Sequence, residues 1–408
     1  MTRPGLEVGD VFRAYEPELP DPFEGTWSVV QRRAFRDIAQ CRTAVLGGHV
    51  DACDRCGHQR ISYNSCRNRH CPKCQAMAGA DWMAARAEDL LPVEYYHVVF
   101  TIPEELGPIA LQNPRVVYDL LFQAAAATLI EVAANPTHLG ARIGFHAVLH
   151  TWGQTLRHHP HLHCVVPGGG LSADGQRWIS CRPGFFLPVR ILSRVFRGKF
   201  LSMLRQAFDQ GRLSFHGELS PLADPGAFQK RLSASARTDW MVYAKPPFGG
   251  AEAVLKYLAR YTHRVAISNR RLISLEDGEV SFQYKDYARK ARSQIMRLTI
   301  FEFIRRFLLH ILPSGFVRIR HFGFLCNRLR RQKVALCRQL LEAAKTPESE
   351  FLNRPPADTG EPERLFGAAT CPCCGKGRMV TIQVLPPMPR AWGRSNRFAE
   401  PGVVVDSS

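Results

Sequence analysis

Two histidines separated by one residue are the first candidates for chemistry in this sequence. His161 and His163 end the segment HHPHLH and precede an apolar run, which is typical of a buried strand. Side chains alternate between the two faces of a β-strand, so both imidazoles would share one face and could hold one divalent cation. The cation needs a third ligand, for which we favour Gln154 over the alternatives His150 and His159. Histidines are also common in cores and on surfaces, so the pair alone is a weak signal.

Two tyrosines four residues apart lie in a predicted helix, Ala251–Thr262. Tyr257 and Tyr261 would present both hydroxyls on one helical face. A phenol with a pKa of about 10 is a poor nucleophile, but a metal or nearby cations can favour its phenolate and let it attack a phosphodiester. The cations around the pair are Lys256, Arg260, His263 and Arg264. The alternative is that the two rings only pack.

Two CxxC pairs predict a structural zinc site. The pairs are Cys53 with Cys56 and Cys71 with Cys74, separated by fourteen residues. Each CxxC turn aims two thiolates at one point, and four such ligands close a tetrahedral site. Cys66 or His70 could replace one of these cysteines, or could serve a second metal together with Cys41 or His49.

The second CxxC pair is surrounded by basic residues that suit DNA contact, namely Arg67, Arg69 and Lys73. A further half-site stands in the tail, where Cys371, Cys373 and Cys374 form the sequence CPCCG. It could bind a second zinc with Cys326 and Cys337, although no spacing requires that pairing.

Positive charge indicates an acidic partner. The chain has a formal net charge of +18, and residues 256–338 contain 19 of its basic but only five of its acidic residues. Nucleic acid is the first candidate for such a partner. In this stretch Lys285 and Arg289 alternate with Phe282, Tyr284 and Tyr287, so the cations could follow phosphates while the aromatic rings stack on unpaired bases. The alternative is a solvated basic face with core aromatics.

The elements that must position these residues are strands and helices in alternation, which indicate an α/β or α+β core. The predicted strands are Tyr95–Thr101, Gly144–Trp152, His161–Val166, Arg264–Ser274 and Val280–Tyr284, the last two joined by a Glu-Asp-Gly turn. The predicted helices are Pro114–Ala134, Leu192–Gln210, Ala251–Thr262 and Ile300–Ile311. We expect a loosely ordered tail after about Thr346, apart from the CPCCGKG knuckle.

Several functional classes are disfavoured. No phosphate-binding GxxxxGK[ST] loop is present, so no motif supports an ATP-driven motor. The N-terminus lacks a signal-peptide layout, and the most apolar stretch, Val116–Ala134, contains Asp119, Gln123 and Glu131. Secretion and membrane insertion are therefore not expected.

Three motifs together resemble one family. His161-Leu162-His163 matches the HUH motif of rolling-circle nucleases, and Tyr257-Leu-Ala-Arg-Tyr261 matches their tyrosine pair. With the segments SYNSCRNRHCPKCQ, HTWGQTLRHHPHLHCVVPGGG and YLARYTHRVAISNRR, the chain resembles the insertion-sequence-91 family of transposases from about Trp27 to Arg338. Because both tyrosines are present, it resembles the two-tyrosine group.

The resemblance implies a fold and a domain order. The fold is α+β, an HUH-endonuclease-like antiparallel sheet core with helices, preceded by a small zinc-binding domain. Residues 1–95 would form the zinc-binding, DNA-recognising domain and residues 96–312 the catalytic domain. Residues 313–408 would form a basic C-terminal region with the CPCC knuckle and a flexible tail.

The resemblance also implies rolling-circle DNA transposition. One tyrosine would cleave a single strand, forming a 5′-phosphotyrosine and a free 3′-OH, and the second would allow strand transfer. The cofactors would be structural Zn²⁺ and a catalytic Mg²⁺ or Mn²⁺. The partners would be single-stranded element ends and target DNA, with a host helicase and replication machinery but no membrane. The implied location is the bacterial cytoplasm, associated with the nucleoid.

Three other functions remain open from the sequence. A plasmid-type replication initiator or relaxase shares the chemistry, but the N-terminal zinc region argues against it. A non-catalytic zinc-ribbon DNA-binding protein would not need the histidine and tyrosine pairs. A structural RNA-binding module has only the charge in its favour.

Overall fold

A five-stranded antiparallel sheet forms the centre of the larger of two units. The structure, a computed structural model, describes residues 5–15, 27–75, 88–245, 265–286, 291–343 and 370–388. The larger unit comprises Met1–Ala39 and Arg67–Gly360, and the smaller one Gln40–Cys66 and Glu361–Ser408. This division differs from the predicted series 1–95, 96–312 and 313–408, because a strand from the tail pairs with a strand near the N-terminus.

The central sheet has the order β12-β4-β5-β3-β8, and all its strand pairs are antiparallel. Its strands are β3 (Tyr95–Thr101), β4 (Gly144–Trp152), β5 (His158–Pro167), β8 (Val242–Lys245) and β12 (Ile319–Gly323). The predicted bounds of β3 and β4 are confirmed, and β5 is longer than predicted at both ends. Histidines 161 and 163 therefore stand on the middle strand of the sheet, as expected for the predicted α+β core.

Helices cover one face of this sheet. Among the described residues of the larger unit, the helices are α1 (Val8–Arg13), α2 (Val29–Ala39), α3 (Gly107–Gln112), α4 (Pro114–Ala134), α5 (Val189–Asp209), α6 (Pro225–Arg237), α7 (Ile300–Leu308) and α8 (Arg330–Ala343). The bounds of α4 match the prediction. Its buried side chains, with those of α5, form one core with the sheet residues Phe100, Phe145 and Leu162. By length and composition α4 could cross a membrane, but 67% of its most apolar window is buried inside this fold.

Strand register assigns opposite roles to the two faces of the sheet. Leu162, Cys164 and Val166 of β5 point into the helix-covered core. The alternate residues His161 and His163 point to the other face, as β-strand geometry requires. Other histidines share that second face because they pair with β5 or its neighbours in register: His97, His146, His150 and His321.

A second sheet of three strands follows in the larger unit, in the order β11-β10-β9. Its strands are β9 (Leu272–Glu276), β10 (Glu279–Asp286) and β11 (Arg292–Thr299). The predicted turn is confirmed: Asp277 and Gly278 both have positive φ, 50° and 74°, as a tight hairpin needs. Strand β9 is shorter than predicted because residues Asn269–Arg271 form a 3₁₀ turn, and β11 was not predicted.

The smaller unit is a three-stranded sheet in the order β13-β1-β2. Its strands are β1 (Gly48–Cys53), β2 (Gln59–Tyr63) and β13 (Met379–Leu385). The expectation of a loosely ordered tail is wrong for residues 379–385, because β13 pairs antiparallel with β1 from Cys53 to Gly48. The larger unit also contains a short two-stranded sheet of β6 (Gly169–Leu171) and β7 (Trp178–Ser180).

Candidate metal centres and basic surface

Three imidazoles converge on the open face of the central sheet. His150, His161 and His163 each offer a ring nitrogen, and these ligand atoms all lie within 4.8 Å of one another. The arrangement follows from strand pairing: His150 on β4 lies directly opposite His161 on β5, and His163 is two residues further along the same face. His150 and His163 are buried, whereas His161 is half-buried.

Hydrogen bonds orient two of these rings. Nδ1 of His161 lies 2.7 Å from the backbone carbonyl oxygen of His159, so this nitrogen carries a proton and Nε2 is the nitrogen that could bind a cation. Nδ1 of His163 lies 2.8 Å from Nε2 of the buried His97 on β3. Burial, together with the charges of Lys245 and His161, lowers the pKa of His97 to about 3. The neutral His97 thus orients the His163 ring through Nδ1, which leaves Nε2 of His163 as the nitrogen that could bind a cation.

The donor set fits a divalent cation. Imidazole nitrogens are common ligands of divalent transition metals, and their second ring nitrogens usually bond a carbonyl or another fixed partner, as those of His161 and His163 do. His150 is the third imidazole of the cluster, whereas the residue favoured from the sequence as third ligand is Gln154. The signal that could have found it is the alternation His146, Val148, His150 in the predicted strand β4, which places His150 on one face with its neighbours two residues apart.

Gln154 occupies the turn between β4 and β5 and makes other contacts. Its side-chain oxygen accepts a long hydrogen bond, 3.5 Å, from the backbone N–H of Lys285, and its carbonyl oxygen accepts one of 2.5 Å from Arg271. Arg306 donates to the Thr155 carbonyl of the same turn at 3.1 Å. The side chain of His159 is exposed. The turn beside the histidine cluster is therefore tied to the β9–β11 sheet and to α7.

The tyrosine pair lies outside the described residues, as do four of the predicted DNA-contacting cations: Lys256, Arg260, Arg264 and Arg289. Their roles stay predictions. The segment that contains the tyrosines directly follows β8, whose last residue, Lys245, pairs with His97. Lys245 therefore lies beside β3, the strand whose His97 contacts His163.

A second group of possible ligands lies within the smaller unit. The sulfur atoms of Cys53, Cys56, Cys371 and Cys374 all lie within 4.8 Å of one another. The predicted set of Cys53 and Cys56 with Cys71 and Cys74 is therefore wrong as a single site. The reason is topological: strand pairing of β1 with β13 brings the tail cysteines to the first CxxC turn, and Cys71 and Cys74 are not members of this group.

The suggested partners of the tail cysteines are also wrong. Cys337 is buried in an apolar cluster with Leu91 and Leu325, and neither it nor Cys326 joins the four sulfur atoms of the smaller unit. Cys373, between the two tail ligands, is exposed. Backbone N–H groups of Lys376 and Gly377 lower the pKa of Cys374 to about 6, which favours its thiolate.

Two of the cations predicted to contact DNA have structural partners instead. The guanidinium of Arg69 donates to the backbone carbonyls of Phe316 at 2.5 Å, Pro313 at 2.8 Å and Leu312 at 3.3 Å. Lys73 is largely buried and forms an ion pair with Glu7. Sequence alone could not separate them from Arg67, which is exposed.

The segment that contains residues 282–287 likewise has both exposed and buried members. Lys285 is exposed and keeps its predicted role open. Phe282 is fully buried against Phe303, with ring centroids 5.9 Å apart, so its predicted stacking on a base is wrong. Tyr284 is half-buried, and Tyr287 lies outside the described residues.

Known proteins share this arrangement of segments. A family described as "Transposase zinc-binding domain", of the IS91 type, matches residues 11–102, and one described as "Putative transposase" matches residues 144–333. A Sinorhizobium fredii (strain NBRC 101917 / NGR234) protein named "Putative transposase y4qJ" is 54% identical over 400 residues, covering 97% of this chain and all of that protein. The transposase for insertion sequence element IS801 of Pseudomonas savastanoi pv. phaseolicola is 27% identical over 337 residues, covering 80% and 79%.

Among solved structures, a metal-free conjugative relaxase TrwC in complex with oriT DNA has 15% sequence identity. The match covers 40% of this chain and 70% of that chain, with a TM-score of 0.23.

Proposed function

The chain belongs to the insertion-sequence-91 family of transposases, and from this membership we propose that it cuts and rejoins single DNA strands through Tyr257 and Tyr261. The family membership makes it a transposase. The single-strand chemistry, the covalent intermediate and the catalytic cation are the parts that we propose. The observation that carries them is the convergence of three imidazoles on one face of the central sheet.

His150, His161 and His163 would hold the catalytic cation, with His97 as the residue that orients His163. When bound, the cation would polarise the scissile phosphate and favour a phenolate. Three nitrogen ligands suit Mn²⁺ better than Mg²⁺, which prefers oxygen ligands in octahedral geometry. We therefore favour Mn²⁺ among the two expected cations, and His150 over Gln154 as the third ligand.

The proposed reaction is a transesterification. The phenolic oxygen of one tyrosine forms a bond to phosphorus while the bond from phosphorus to the 3′ oxygen breaks, which leaves a 5′-phosphotyrosine and a free 3′-OH. A 3′-OH of another strand then attacks the same phosphorus and releases the tyrosine. The second tyrosine can hold a second strand end. Because each phosphotyrosine bond conserves the free energy of the phosphodiester that it replaces, the exchange needs no ATP.

Exposed cations would hold the strand by its phosphates. Arg67 and Lys285 are the described members of the predicted DNA-contacting set that are exposed. Such contacts are distributed over many phosphates, so binding should survive loss of the catalytic groups and should weaken as salt concentration rises. Element ends and target DNA in single-stranded form are the proposed substrates, with unwinding supplied by a host helicase and replication machinery.

The tyrosine pair provides the direct test. We expect the wild-type protein, incubated with a single-stranded element-end oligonucleotide and Mn²⁺, to form a covalent adduct that survives denaturing electrophoresis. The variant Tyr257→Phe/Tyr261→Phe should bind the oligonucleotide but form no adduct, because each change removes only the attacking oxygen. Each single variant should still nick but should fail to complete strand transfer.

Tyr243→Phe is the matched control. This tyrosine lies on β8 and is 51% exposed. It pairs with Val99 of β3, which in turn pairs with His163 of β5, and it has no role in the proposed reaction. It should form adduct at the wild-type level. Persistence of a 5′-linked adduct in the double variant would show another nucleophile, with Tyr284 and Tyr287 next to test. Absence of any adduct in the wild type would instead favour a non-catalytic DNA-binding protein.

A further inference from the structure

Two turns of the smaller unit have the same sequence and the same backbone geometry. Both read CxxCG, at Cys53–Gly57 and at Cys371–Gly375. Each glycine has positive φ, 72° and 64°, and donates its N–H to the carbonyl of the first cysteine at 3.1 and 2.9 Å. Positive φ at this position is easy only for glycine. The two turns are therefore two copies of one local structure, one near each end of the chain.

The four sulfur atoms have the spacing of zinc ligands. Sγ of Cys53 lies 3.7 Å from Sγ of Cys374, and Sγ of Cys56 lies 3.6 Å from Sγ of Cys371. Four thiolates at about 2.3 Å from one tetrahedral zinc are about 3.8 Å apart. A disulfide would need about 2.05 Å, and none of the four cysteines forms one.

Backbone N–H groups donate hydrogen bonds to the sulfur atoms, and such bonds stabilise the thiolate form that binds a metal. Cys53 Sγ accepts from the N–H groups of Arg55 and Cys56, both at 3.4 Å. Cys371 Sγ accepts from Cys373 at 3.4 Å, and Cys374 Sγ from Gly377 at 3.3 Å. A Cβ at Gly377 would collide with Cys53 Sγ, so the chain must be glycine there to pass the cluster.

Apolar burial around the turns is small. The buried apolar cluster that includes them consists of Cys53, Cys371 and Met379, with Cys374 packed against it. A small sheet with so little core usually needs a metal or disulfides to stay folded. Binding of a metal by groups that the unfolded chain does not hold together adds directly to folding stability.

We propose that Cys53, Cys56, Cys371 and Cys374 bind one Zn²⁺, which fastens strand β13 of the tail to the N-terminal hairpin of β1 and β2. The matched zinc-binding family ends at residue 102, so it contains only half of this site. The site is closed by four protein ligands and has no open position for chemistry. It would make the C-terminal segment a structural part of the zinc-binding module.

Cysteine footprinting on the full-length wild-type protein tests the site, and Cys56 and Cys373 form a matched pair because both are exposed. After zinc loading, a pulse of N-ethylmaleimide should modify Cys373 but spare Cys56, Cys371 and Cys374. A chelator should then make these three reactive and leave Cys373 unchanged. Modification of Cys56 as fast as Cys373 in the zinc-loaded protein would overturn the proposal.

Zinc content of full-length variants supplies an independent measurement. Cys371→Ser/Cys374→Ser should lose one zinc per chain relative to wild type, whereas Cys373→Ser should lose none. Cys371→His should retain the zinc, because imidazole can replace a thiolate in structural sites. Wild-type zinc content in Cys371→Ser/Cys374→Ser would refute the site. None of these measurements uses DNA cleavage, so they stand apart from the proposed function.

Discussion

His150 illustrates how a single residue acquires a role from its neighbour across a strand pair. It is buried, lies opposite His161 and contributes the third imidazole of the cluster. Gln154, four residues later, lies in the following turn, and its side chain accepts a hydrogen bond from the backbone of Lys285. His150 is therefore the proposed metal ligand, whereas Gln154 helps to attach the turn to the β9–β11 sheet.

We expect His150→Ala to weaken Mn²⁺ binding by more than the roughly 10- to 100-fold that loss of a supporting contact causes, because it removes a direct ligand. Gln154→Ala should have a smaller effect. His146→Ala is the control, since His146 shares the strand and the face but pairs with His321, 2.5 Å away between Nδ1 atoms. Calorimetric titration with Mn²⁺ measures all three. Equal loss in the His150 and Gln154 variants would contradict our choice of ligand.

At the scale of elements, Arg69 and His70 fix the position of residues 312–316, which follow α7. Arg69 donates to three carbonyls of residues 312–316, and Nε2 of the buried His70 accepts from the Leu312 N–H at 3.1 Å. Burial lowers the pKa of both side chains. Residues predicted to contact DNA or metal thus act as connections inside the larger unit.

Arg69→Ala should lower the free energy of unfolding by about 2–3 kcal/mol, because it removes charge-assisted hydrogen bonds and leaves carbonyls without their donor. Arg67→Ala, at an exposed position two residues earlier, should change it by no more than about 0.5 kcal/mol but should weaken oligonucleotide binding. Urea unfolding and a binding titration measure the two effects. The reverse pattern would restore the DNA-contact interpretation of Arg69.

At the scale of the whole molecule, buried neutral histidines couple stability to pH. Burial is the main cause that lowers the pKa of His310 to about 3 and of His158 to about 4. His310 is held between the Thr151 hydroxyl at 3.2 Å and the Leu156 carbonyl at 3.0 Å. In the unfolded chain a histidine takes up a proton below about pH 6.5, so acid favours unfolding.

The free energy of unfolding should therefore be unaffected by these histidines above about pH 6.5. It should fall as the pH drops toward 3, by at most about 1.4 kcal/mol per pH unit for each such histidine. His310→Gln keeps a donor for the Leu156 carbonyl but cannot titrate. Its unfolding free energy should depend less on pH between 6.5 and 5 than that of the wild type, as urea titrations at several pH values would reveal. Parallel pH curves would show that His310 does not contribute.

The sequence by itself determined the features that depend on neighbours along the chain. Alternation in a strand places His161 and His163 on one face, and the apolar pattern predicts the bounds of β3, β4 and α4. The CxxCG turns can likewise be recognised one at a time. Each of these features is set by backbone geometry over a few residues.

Only the tertiary structure decided which of these local pieces meet. Strand register brings His150 to His161, and pairing of β1 with β13 brings Cys371 and Cys374 to a turn more than three hundred residues earlier in the chain. It also shows that Arg69 and Lys73 are engaged inside the fold while Arg67 is exposed. The physical reason is that strand pairing and side-chain burial join residues that are distant in sequence. The spacing of residues along the chain does not specify which distant residues will pair.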